Sequence, residues 1–186
     1  TEMAKLAVGA ILLADAAMAL RNMVIVVAFI PELALRIGIP LGIITLIGVG
    51  ISVVVGDWNI NLDADFDSPF SLKNALKFGG LFLGILLISA GAQNIYGAPG
   101  FLFTSFVGGI VSSGSATTTA VLLASSEKIT YTVAATGVVA ATSSSILVKT
   151  AFAASVDRSL VRPVLAGSFA LIFSGIVAVG AVMFVP

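Results

Sequence analysis

Gly108-Gly-Ile-Val-Ser-Ser-Gly-Ser-Ala-Thr-Thr-Thr119 sits inside an apolar stretch, Phe101 to Ser125, long enough to cross a bilayer. Its twelve residues include three glycines and six hydroxyls. A water-soluble helix disfavours such a run, because Gly loosens the backbone and Ser and Thr compete with it for hydrogen bonds. In a membrane the run has two uses. Small faces let helices approach closely, with hydroxyls bonded to carbonyls of the preceding turn. Alternatively the helix is discontinuous, broken near Gly114. A half-helix from Ser115 then aims its free N–H groups at an ion or substrate near the bilayer midplane.

The rest of the chain sets that stretch in lipid. Hydrophobic residues make up 59% of the sequence and charged residues 10%, against roughly 25% charged in a soluble domain. Mean hydropathy is +1.16. So few charges cannot cover a water-facing surface, and the apolar stretches recur in spans matching a ~30 Å hydrocarbon core. The reading is an all-α, polytopic transmembrane bundle, multi-pass in the cell membrane. Net charge is zero, which disfavours nucleic acid as a partner. The absence of Cys and His removes disulfides, thiolate centres and the commonest metal ligand, so no cofactor is expected. The composition admits a homo-oligomer or a larger membrane complex.

About six spans follow from hydropathy: Leu6–Ile30, Ile37–Gly56, Pro69–Gln93, Phe101–Ser125, Ile129–Ala154 and Val164–Val185. Gly38, Pro40 and Gly42 predict a kinked entrance to the second. Ser68-Pro69 reads as the start of the third, a capping hydroxyl followed by Pro. Gly80-x-x-x-Gly84 offers it a close-packing face. Between the second and third lies an acidic stretch. Its Asp63-x-Asp65-x-Asp67 invites a calcium reading, but Ser68 and Asn74 stand where an EF-type loop needs Gly and Glu, so a solvated loop is expected. Six spans place both termini on one side, and the basic residues then divide almost evenly, giving no orientation.

The first span carries Asp15, Arg21 and Asn22 in its interior. Its twelve Leu, Ile, Val and Phe residues favour insertion by roughly 4–7 kcal/mol, while Asp and Arg cost roughly 5–7 together. Such a helix needs neighbours. Asp15 and Asn22, seven residues apart, share a face, with Arg21 about 120° away. Asp15 reads either as one half of an interhelical ion pair with Lys149 or Arg21, or as a coupling or countercharge group on a pathway. Arg21 and Lys149 can also snorkel to an interface. The fifth span has a second hydroxyl cluster, Thr142-Ser143-Ser144-Ser145, followed by Lys149.

Sliding the chain by 128 residues lays the first span on the fifth: Gly9 falls on Gly137, Asp15 on Ser143, Arg21 on Lys149 and Asn22 on Thr150. With six spans the two copies run parallel, which predicts a four-span unit used twice. Residues 1–56 are then the last two spans of a first unit, 57–68 an acidic polar loop, and 69–186 a complete second unit.

Several motifs resemble a prokaryotic integral-membrane domain of unknown function that often follows an MgtC/SapB domain. They are Ala10-Ile-Leu-Leu-Ala-Asp-Ala-Ala-Met-Ala-Leu-Arg21, Ser68-Pro-Phe-Ser-Leu-Lys-Asn-Ala-Leu-Lys-Phe78, the 108–119 stretch, and Val138-Val-Ala-Ala-Thr-Ser-Ser-Ser-Ile-Leu-Val-Lys149. The resemblance covers nearly the whole chain. It implies the C-terminal portion of a longer protein, in which a similar Gly/Ser/Thr segment precedes the part matching Thr1–Ile30. Two departures stand out: the 57–67 loop is acidic where that family is commonly basic, and the front half-repeat is missing. The family carries no established activity.

Functionally, the expectation is a small-ion or small-solute transporter or channel with a polar site where the first, fourth and fifth spans meet. The residues expected to build it are Asp15, Arg21, Asn22, Ser112, Ser113, Ser115, Thr117, Ser143, Ser144, Ser145 and Lys149. The alternative is a non-transporting subunit whose small-residue faces assemble a larger complex. An enzyme is not expected: a nucleophilic Ser lacks His or Cys as a base, and a Ser/Lys pair such as Ser145 and Lys149 at i,i+4 has nothing else to support a dyad.

Overall fold

A computed structural model describes residues 2–58, 72–156 and 160–183. Most of the acidic loop, with Asp63, Asp65 and Asp67, and the Ser68-Pro69 helix start lie outside the described residues. The described residues form five helices and no strands: α1 (Glu2–Phe29), α2 (Ala34–Val55), α3 (Leu72–Ser125), α4 (Tyr131–Val156) and α5 (Val161–Met183). All five are long and apolar enough to cross a membrane. A short 3-10 turn, Pro31–Leu33, joins α1 to α2. α2 is helical from Ala34 to Val55, with Pro40 inside it.

Five helices stand where six spans were expected because α3 is folded on itself twice. It leaves helical geometry at Gly97 (φ 63°, ψ −148°) and at Ser112 (φ −161°, ψ 104°). The positive φ at Gly97 is one that side chains resist, and Pro99, two residues on, is preset to start the next helical segment. The extended backbone at Ser112 is open to any residue. The segments 72–96, 98–111 and 113–125 therefore lie side by side. A Cβ built on Gly108 would sit 3.1 Å from Ile85 Cγ2 and 3.6 Å from Ala116 Cβ, so the middle segment touches both its predecessor and its successor.

The ends of the second fold meet. Gln93 Nε2 donates to the Lys128 carbonyl at 3.3 Å, whereas a straight helix of that length would separate them by about 50 Å. The stretch 98–125 is thus a helical hairpin with its tip at Ser112 and both feet at one end of the bundle. Its arms are only ~21 and ~20 Å long, too short to cross a ~30 Å core singly. This corrects the expected fourth span: Phe101–Ser125 does not run from one end to the other. Length and hydropathy are right for a crossing, but the backbone reverses halfway.

The hairpin is held by α4. Phe101 and Ser105 pack against Gly137, and Gly109 lies directly on the Ala141 carbonyl and the Ser144 hydroxyl. A tight turn then joins Ser125 to α4. Lys128 N–H donates to the Leu123 carbonyl (2.9 Å), Glu127 N–H donates to Ala124 (3.0 Å), and Glu127 takes positive φ (56°). That is the bond pattern of a Schellman helix ending.

Because the hairpin returns the chain to the end it left, the next helix runs opposite to expectation. Asp15 pairs with Lys149, and Asn22, seven residues further along α1, pairs with Thr142, seven residues back along α4. α1 and α4 are antiparallel, and the parallel arrangement read from the sequence does not hold. Small residues bring the other helices into contact. Gly48 admits Ala16 (a Cβ would lie 2.9 Å from Ala16 Cβ), and Ser52 Oγ donates to the Gly9 carbonyl at 2.7 Å, tying α2 to α1. Thr150 and Ser168 share a hydrogen bond of 2.6 Å between α4 and α5.

Candidate functional site

The hairpin tip, α1 and α4 enclose an open cleft of about 440 Å³. Each wall follows from local structure. On α1, Ala14, Ala17, Met18 and Arg21 recur at helical spacing, so three modest side chains leave room for one long cationic one. On α3, the break presents Ser112 and Ser113 end-on. On α4, Ser145 and Lys149, one turn apart, complete the lining.

At the tip, Ser112 caps the returning arm: its Oγ accepts the Ser115 N–H at 3.2 Å. This satisfies one donor of a first helical turn, as N-cap serines do. The break falls two residues before Gly114, and the half-helix begins at Ser113 rather than Ser115. Gly114 has a different task. A Cβ there would lie 2.9 Å from Arg21 Nη2, so the missing side chain lets the guanidinium lie across the first turn. Arg21 Nη2 also donates to Ser113 Oγ and to Asn22 Oδ1, each at 3.2 Å.

On the α4 side the charges are paired. Lys149 Nζ donates to Asp15 Oδ1 at 2.9 Å and touches Met18 Sδ at 3.5 Å. Asp15 is fully buried, and the Lys149 side chain keeps 35% of its surface exposed toward the cleft. The second oxygen of Asp15 has no hydrogen-bond partner among the described residues. Asn22 is buried and donates through Nδ2 to Thr142 Oγ1 at 3.2 Å. Asp15 and Asn22 thus face α4, while Arg21 turns to the hairpin.

The remaining expected site residues are not on the cleft wall. Ser115, Thr117 and Ser143 are buried, and their hydroxyls have no partner among the described residues. Ser144 bonds back to the Ala141 carbonyl at 3.0 Å and packs under Gly109. The comparisons with known proteins bear on this same region. Residues 1–157 match the family model for a domain of unknown function, DUF4010.

The chain belongs to the DUF4010 family. The match takes in α1 to α4, and with them every residue that lines the cleft. No curated protein and no solved structure matches. Two residues that hold side chains beside the DUF4010 cleft were not among the expected site residues. Met18 lies against the Lys149 ammonium, and Thr142 receives Asn22. The 14-17-18-21 spacing along α1 was a usable signal for Met18. Thr142 carried only the weaker signal of belonging to a hydroxyl cluster.

Proposed function

We propose that this protein moves a small ion across a membrane through the cleft at the hairpin tip. The observation that carries the reading is the position of Arg21. It lies inside an apolar helix, two turns from the C-terminal end, exposed, with its guanidinium on the tip of a hairpin that reaches part-way into the bundle. A cationic side chain at such depth costs about 2.5–3.5 kcal/mol against lipid and belongs on a water-filled path. Irregular backbone at membrane depth, as at Ser112, likewise belongs where it lines a cavity.

In this reading α1, α2, the 72–96 segment, α4 and α5 cross the membrane, and 98–125 enters and leaves from one side. An odd number of crossings per unit makes the repeat inverted. The helix boundaries support this: shifted by 128 residues, α1 falls on 130–157 and α2 on 162–183, beside Tyr131–Val156 and Val161–Met183. Arg21 falls on Lys149, and both line the cleft. Inverted units with discontinuous helices meeting at the midplane are a common plan for secondary transporters.

A second reading, a non-transporting subunit, draws on Gly80 and Gly84, where an added Cβ would meet nothing within 4 Å. That face is open to a neighbouring helix. Reconstitution separates the two. Liposomes holding purified protein are expected to pass at least one small inorganic ion, and Arg21→Gln to abolish the flux. Tightness to every small cation and anion tried would end the transport reading.

A further inference from the structure

The cleft's charges do not balance, and the imbalance points to its occupant. Lys149 has its countercharge in Asp15, whereas no carboxylate stands among the hydrogen-bond partners of Arg21. Arg21 instead makes its hydrogen bonds to two neutral oxygens, those of Asn22 and Ser113. Its guanidinium lies across the first turn of the 113–125 arm, where Gly114 makes space for it. A helix N-terminus carries roughly half a positive charge. A full cation and a positive helix end therefore converge, with the Asp15-paired ammonium of Lys149 across the cleft.

We propose that this cleft binds a small inorganic anion between Arg21, the Ser112–Ser113 tip and Lys149. The proposal rests on the reading of the cleft as an ion path and names the sign of the ion. Each wall supplies a donor: the guanidinium, the Ser113 and Ser145 hydroxyls, and the Lys149 ammonium. No carboxylate lines it; Asp15 is fully buried behind Lys149. Converging donors around a single uncompensated positive charge fit a compact anion such as chloride, nitrate, phosphate or sulfate better than any cation. A volume of about 440 Å³ leaves space for part of the anion's water.

Thermal unfolding of the purified protein in detergent tests this without requiring transport. Sodium chloride, nitrate, phosphate and sulfate are titrated at constant ionic strength against sodium gluconate. At least one of the four is expected to raise the midpoint saturably by a few degrees, as a ligand of the folded state must. Arg21→Gln and Gly114→Ala are both expected to weaken that response at least tenfold. The second keeps every charge and only crowds the guanidinium, which guards against a folding defect in the first. Ser174→Ala, on α5 with its hydroxyl bonded to the Leu171 carbonyl, is expected to respond like the parent. No response to any of the four anions overturns the proposal. So does a response in both cleft variants equal to the parent's, or a response that follows sodium when choline replaces it at constant chloride. Anion binding without liposome flux removes the transport reading and leaves this one. Cation flux without an anion response removes this one alone.

Discussion

Replacing Lys149 by methionine removes the only partner that Asp15 has among the described residues. The carboxylate is fully buried, with one oxygen held at 2.9 Å and the other unpartnered. Breaking a buried pair by deleting one member typically costs 3–5 kcal/mol. The lower end applies, since the Lys149 side chain is 35% exposed and part of the attraction is screened by whatever fills the cleft. The expected loss for Lys149→Met is therefore about 3 kcal/mol. Asp15→Asn leaves an ammonium that still reaches the cleft, and about 1 kcal/mol is expected. The double variant has no buried charge left to strand and is expected within about 1 kcal/mol of the parent, a coupling of roughly 3 kcal/mol. Equilibrium unfolding in mixed micelles, followed through Trp58, measures all four proteins. Trp58 is the sole Trp, and its indole N–H donates to the Ser52 carbonyl at 3.2 Å. A double variant as unstable as Lys149→Met, or a single variant within 0.5 kcal/mol of the parent (a bound set by usual surface effects), would refute the reasoning.

Two further outcomes test the hairpin. Gly109→Ala sets a methyl against the Ala141 backbone, which cannot yield as a flexible side chain does, and about 2–3 kcal/mol of destabilisation is expected; Gly84→Ala, where the methyl meets nothing, is expected to be neutral or slightly stabilising in the same unfolding assay. With no native cysteine present, Gln93→Cys and Lys128→Cys are expected to cross-link through a short bismaleimide, read as a gel shift after cleavage between them. A hairpin opened into a straight helix would hold them far beyond its reach.

Much of the scaffold was legible because lipid imposes a length. Runs of apolar residues near Leu6–Ile30, Ile37–Gly56, Ile129–Ala154 and Val164–Val185 became α1, α2, α4 and α5 with shifts of only a few residues at most ends. The reversal inside Phe101–Ser125 was not legible, since hydropathy counts residues and is blind to direction. A break near Gly114 was one of the two readings of this stretch, the other being unbroken close packing. The structure bends at Ser112 with an ordinary extended φ of −161°, and its hydroxyl caps the new helix. Gly114 is spent on a close approach instead, which no local rule separates from a bend. Asp15 and Lys149 were readable as partners because isolated charges in apolar helices have few alternatives. The roles of Ser115, Thr117, Ser143 and Ser144 depend on which way each helix is rotated, and a hydroxyl cluster alone does not fix that.

The hairpin also bears on how the chain is made. Residues 98–125 leave the ribosome before α4, yet the surface that holds Gly109 is the Ala141 carbonyl and Ser144 hydroxyl on α4. Until those residues arrive, an apolar stretch of this length satisfies the insertion machinery's requirement for a span. If it were inserted that way, α4 and α5 would enter upside down, with Lys149 carried away from Asp15 and Thr142 from Asn22. The close Gly109 contact and the two polar pairs to α1 are thus more than packing. Each of them forms only with the arm folded back, because only then does α4 run antiparallel to α1.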